Sequence, residues 1–137
     1  MPDPRLAKDE QPASVVLLRL PFPPKELSPN ARLDWHEVAA FKASYRQECA
    51  VIARNERNRL DGLRFPLKAP VTANITFVLT TSRRRDYDNL LASFKAGLDG
   101  IVDSGLVRDD SCFELQLTLE AVIEQESCVK VWLEGAL

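Results

Sequence analysis

From Val71 to Thr80 the chain alternates apolar and polar residues with a period of two. Val71, Ala73, Ile75, Phe77 and Leu79 fall on one side, and Thr72, Asn74, Thr76 and Thr80 on the other. Only extended backbone sends successive side chains to opposite faces, so this stretch reads as a half-buried strand. Its apolar face must be covered, and the flanking segments have the pattern to do it. Leu90, Leu91, Phe94, Leu98, Ile101 and Val102 recur at helical spacing after Asp88, which is expected to start that helix. Gly105 stands where a C-terminal cap belongs.

Upstream, Asp34 followed by Glu37 has the form of a capping box. It predicts a helix whose apolar stripe is Trp35, Val38, Phe41, Tyr45, Cys49 and Ile52, with Lys42, Arg46 and Arg54 largely off that stripe. Val15 to Leu20 is apolar on both faces, which suggests a central strand, and the PFPP run after it cannot hold regular structure. Leu60 to Pro70 reads as a loop. Phe113 to Glu120 alternates again, and a turn near Glu124 to Ser127 leads to Val129–Leu133, so a terminal hairpin is expected. The order is β-α-β-α-β-β. It predicts a single α+β domain over residues 14–137, with a mixed sheet and helices packed on it, after a disordered lead-in at 1–13.

The 137 residues allow one core. No apolar run reaches the roughly 20 residues of a membrane span, and the N-terminus lacks a signal-like apolar stretch. Cys49, Cys112 and Cys128 are odd in number and widely spaced, which argues against a disulfide framework or a zinc site and for reduced thiols in the cytoplasm. The net charge of −2 does not advertise a polyanion partner. Charge is nonetheless segregated: Arg83, Arg84 and Arg85 form one basic block, and Lys42, Arg46, Arg54, Arg57 and Arg59 another.

The segment from Ser82 to Ser111 carries the chemistry. Asp86 and Asp88 lie between a strand and a helix, and Asp109 and Asp110 follow that helix. Hard divalent ions held by such carboxylates stabilise charge on the attacking and leaving oxygens of a phosphodiester, and magnesium needs only a few of them because it keeps several waters. Adjacent arginines can hold flanking phosphates bidentately. The same aspartates also suit helix capping and turns. A helix between the two pairs spans on the order of 20–25 Å. One subunit does not bring them together simply: either the segment after the helix folds back, or the carboxylates meet in another way.

RRRDYDNLL followed by GLVRDDS resembles the RusA family of Holliday junction resolvases, whose members carry an R-D-x-D-N-L segment, a helix and a D-D-S/A segment. LSPNARLDW is similar to the L-x-P-N-x-R-x-H-W stretch of its phage and prophage members, so the likeness runs over roughly Val15 to Leu133. The resemblance implies a homodimeric, magnesium-dependent endonuclease acting on four-way DNA junctions, with no nucleotide cofactor and no membrane partner. Asp86, Asp88 and Asp110 match its catalytic, metal-binding aspartates, with Asp109 as an accessory ligand. Arg83, Arg84 and Arg85 match its DNA-contacting block, joined here by Arg32, Lys42 and Arg46, and Asn89 matches a supporting asparagine. The family lysine falls on Ala92, so the nearby Lys95 is the candidate cation. The family histidine falls on Asp34, with His36 the candidate in support. Two further readings stay open on the residues themselves: a junction-binding protein without cleavage, and a metal-dependent nucleotide phosphohydrolase.

Overall fold

The alternating stretch forms β2 (Lys68–Leu79), a 12-residue strand paired on both edges. The computed structural model describes residues 13–60, 64–81, 86–123 and 125–136. Within them, β1 (Ala13–Pro21), β2, β3 (Phe113–Ile123) and β4 (Cys128–Ala136) make one sheet in the order β1-β4-β2-β3. β3 runs parallel to β2, whereas β4 runs antiparallel to both β2 and β1. Helix α1 (Trp35–Arg59) joins β1 to β2, and helix α2 (Tyr87–Asp103) joins β2 to β3. Parallel neighbours require such a crossover, because a tight turn cannot return the chain in the same direction. The domain is α+β, with a mixed four-stranded sheet and two helices.

The inward-facing side chains of β1, β2 and β4 are buried with Leu90, Phe94, Leu98 and Ile101 of α2 and Tyr45, Cys49 and Ala53 of α1. Phe94 stands edge-on to Phe77 of β2, with ring centroids 6.0 Å apart, and to Tyr45 of α1 at 6.4 Å. The Tyr45 hydroxyl donates to the Pro21 carbonyl at 2.6 Å, tying α1 to the end of β1. Burial pushes the Cys49 thiol up to about 12, so it acts as a small apolar group.

α1 and α2 run in the same direction, with Gly100 of α2 lying on the α1 backbone at Arg46 and Ala50 and Gly105 lying beside Arg57. The chain leaves α2 through Gly105 at φ 87°, a left-handed conformation that glycine adopts without strain, as the sequence predicts.

Four expectations need correction. β1 is an edge strand: among the described residues it pairs only with β4, and Val15 and Leu17 remain 55% and 51% exposed on the outer face of the sheet. The terminal hairpin does not form, because β2 lies between β3 and β4. The crossover delivers β3 to one edge of β2, and the chain then passes the end of β2 to pair β4 with its other edge. Part of the expected 60–70 loop belongs to β2, which begins at Lys68. The apolar stripe of α1 is fully buried only from Tyr45 onward, with Val38 partly buried against the core; Trp35 and Phe41 are exposed. The expected lead-in lies outside the described residues, apart from Ala13, which opens β1.

A Cβ on Gly100 would sit 2.5 Å from the Arg46 carbonyl oxygen. Alanine is the better helix former by about 1 kcal/mol, yet we expect Gly100→Ala to destabilise the protein by roughly 1–3 kcal/mol through overpacking. Urea unfolding measures this, and a stabilised variant would mean that the two helices are not so closely packed.

Candidate nucleic-acid interface and carboxylate site

Asp86, at the residue before α2, has extended backbone, and its Oδ1 accepts from the backbone N–H groups of Asp88 at 2.9 Å and Asn89 at 3.3 Å. It is therefore the N-cap, and the expectation that Asp88 starts the helix is corrected by two residues. An N-cap side chain reaches the second and third helical N–H groups, and with Tyr87 first those belong to Asp88 and Asn89. Asp88 itself is exposed in the first turn, where the positive end of the helix favours a carboxylate. The Oδ2 of Asp86 has no hydrogen-bond partner among the described residues.

Spacings of four, three and four residues put Asp88, Ala92, Lys95 and Asp99 on one stripe of α2. The Lys95 ammonium lies 4.0 Å from Asp99 and 3.8 Å from Asp110. Asp110 opens a short 3₁₀ turn after α2, and Asp109 caps that turn. Asp109 Oδ1 accepts from the Ser111 N–H at 2.9 Å and from the Ser111 hydroxyl, and the Cys112 thiol lies 3.8 Å away. The Ser111 bonds hold the Asp109 carboxyl below the usual range. The two neighbouring aspartates thus have different surroundings: Asp109 is engaged within its own turn, and Asp110 faces Lys95.

Beside that stripe runs a groove of about 530 Å³, lined by Ala39, Lys42, Ala43 and Arg46 of α1 and Ala92, Lys95, Ala96 and Asp99 of α2. The small alanine side chains keep its floor open, and three cations stand along it. Arg46 also donates through Nε and Nη2 to the two carboxylate oxygens of Asp103, at 2.6 and 2.8 Å. The pair holds the Asp103 carboxyl below its usual range, chiefly through those hydrogen bonds. Lys42 forms no ion pair among the described residues. The groove therefore gathers two expected DNA-binding residues, Lys42 and Arg46, with the expected catalytic cation Lys95. Ala92, one turn earlier, lines the same groove, so a lysine from either position would project into it.

Asp86 lies elsewhere. It lines a cleft of about 720 Å³ with Phe22, Lys25, Ser28, Asn30, Asn89 and Ser93, among others. Lys95 is nine residues beyond Asp86, on the order of 13 Å along the helix axis. No group of three His, Cys, Asp or Glu side chains comes together as a metal cage among the described residues. The sequence reading missed Lys25 and Ser28 as neighbours of Asp86; the rigid proline run that delivers them was the only local signal. Arg32 is exposed, and His36 stacks on Trp35 with ring centroids 3.6 Å apart. Arg83, Arg84 and Arg85 lie outside the described residues.

No protein-family model matches the sequence. An uncharacterized protein of Xylella fastidiosa (strain Temecula1) is 35% identical over 118 residues, which is 86% of this chain and 75% of that protein.

Two stability measurements separate the aspartate roles. Asp86→Ala removes the cap and should cost about 0.5–2 kcal/mol, whereas Asp88→Asn should cost less than about 0.5 kcal/mol; equal losses in chemical denaturation would contradict the capping geometry. The Arg46–Asp103 pair is solvent-exposed, so a double-mutant cycle should give less than about 1 kcal/mol. Because Asp103 is held below its unfolded value, that contribution is present at neutral pH. It disappears as pH falls below about 4 and through the depressed value.

Proposed function

We propose that this chain, which belongs to the same family as that uncharacterized Xylella fastidiosa protein, is a magnesium-dependent DNA endonuclease of the RusA kind, resolving four-way junctions by paired nicks. The observation that carries the reading is the groove shared by Lys42, Arg46 and Lys95, with Asp110 3.8 Å from Lys95 and Asp88 on the same stripe of α2. A row of cations over a floor of small side chains suits a phosphate backbone better than a small ligand, because several phosphates can be neutralised in succession.

Asp88, Asp110 and the Oδ2 of Asp86, unpartnered among the described residues, are hard oxygen donors, and the exposed Asp88 and Asp110 leave room for the waters that magnesium retains. Magnesium bound there would supply charge for the attacking and leaving oxygens. Lys95 orients Asp110 and presents an ammonium to the phosphate that displaces it. Lys42 and Arg46 hold the backbone on either side, and Asp86 fixes the start of α2, so the position of Asp88 is set by a hydrogen-bonded turn.

A homodimer is part of the same proposal. Asp86 and Lys95 stand at different levels of α2, and a two-fold axis could set one copy's Asp86–Asp88 turn beside its partner's Asp110 while presenting two sites to opposed strands of a junction. No described helix is long and apolar enough to cross a membrane; residence in the cytoplasm with DNA belongs to this reading.

The test is a labelled four-way junction and a matched linear duplex, incubated with protein and either Mg²⁺ or EDTA. Paired nicks on the junction alone, needing Mg²⁺ and lost by at least about 100-fold in Asp88→Asn, are expected. Cutting of both substrates would remove the junction selectivity. Tight binding without any product would leave a junction-binding protein, and turnover of small phosphate esters in place of DNA would make the protein a phosphohydrolase.

A further inference from the structure

Trp35 opens α1 with 73% of its surface exposed, more than any other exposed large apolar side chain among the described residues. Its ring stacks on His36 at 3.6 Å with an interplanar angle of 30°, so the two rings form a short stack that solvent still reaches. Nothing in the core requires a tryptophan there, because Trp35 is neither in the core nor packed against it. Leu33, Trp35, Val38, Ala39 and Lys42 line a shallow depression, and Ala39 and Lys42 also line the groove that holds Arg46 and Lys95. The aromatic patch and the cationic groove are one continuous surface.

Exposed aromatic rings beside a row of cations suit unpaired nucleic acid: cations follow the phosphates, and a flat ring accepts the face of any base. Trp35 lies seven residues before Lys42, on the order of 10 Å along the helix.

We propose that Trp35 is a base-stacking platform, taking an unpaired nucleobase of the strand whose phosphates lie along Lys42, Arg46 and Lys95. This rests on the DNA-binding reading above and adds to it the preference for DNA with unpaired bases. The occupant is a nucleobase; Lys42, one turn beyond Val38 on the same face, supplies the charge match that an apolar protein partner would not use.

The chain has two tryptophans, so Trp132→Phe leaves Trp35 as its sole indole reporter. That protein is titrated with a mixed-sequence single-stranded oligonucleotide and with the four-way junction, and a fluorescein-labelled oligonucleotide reports binding independently by anisotropy. Quenching of Trp35 with the same midpoint as the anisotropy change is expected, with less quenching by fully paired duplex. Trp35→Ala, which keeps Trp132, should bind single strands roughly ten- to hundredfold more weakly and show no quenching. Saturating anisotropy with unchanged Trp35 emission would overturn the stacking role and leave the DNA-binding reading standing. Trp35 emission that shifts with protein concentration in the absence of DNA would overturn it in favour of a contact between copies of the chain. Failure of any oligonucleotide or junction to bind would remove both readings together.

Discussion

The edge-on contact of Phe94 with Phe77 and Tyr45 is the joint on which the arrangement depends. One fully buried ring from α2 touches the central strand and the first helix at once. Aromatic pairs prefer such edge-to-face geometry, and a buried ring of this size also contributes a large apolar area. Because Phe94 sits in the second turn of α2, it fixes the rotation of that helix. That rotation turns Ala92, Lys95 and Asp99 toward α1, where they line the groove shared by the two helices. The Gly100 crossing then sets the distance between the helices, leaving a groove with alanines at its base.

Two aspartates that are adjacent but one in sequence acquire different physical roles from this placement. Asp86 is held by two backbone N–H groups and looks into the cleft beside the proline-rich segment. Asp88 projects from the first turn with no such bond. The same division recurs after the helix, where Asp109 closes its own turn and Asp110 meets Lys95. In both pairs the first aspartate positions backbone and the second is available, which is how a capping role and a ligand role can coexist at one terminus.

Periodicity made the helices, β2 and β3 legible as elements, although β2 is buried on both faces from Ile75 to Leu79 rather than on one. It failed where burial was not uniform along an element. The α1 stripe continues through Trp35 and Phe41, although neither belongs to the core. Apolar residues on both faces of β1 suggested a central position, yet the outward Val15 and Leu17 lie beside Trp132 on a face that no described helix covers. The β3–β4 hairpin was a default of short connections, and the competing demand was that both edges of the long apolar β2 be paired.

The sequence by itself determined the element order, the single α+β domain, the helix-start signal at Asp34, the glycine at the end of α2, and the acidic residues at both ends of that helix. These are local properties, set by side-chain period and by hydrogen bonds within a few residues. Tertiary structure alone decided the strand order, the cleft into which Asp86 faces, and the meeting of Lys42 and Arg46 with Lys95. Those residues are some 50 positions apart in the chain. Their proximity follows from two parallel helices packed at a glycine, and no spacing in one dimension encodes it.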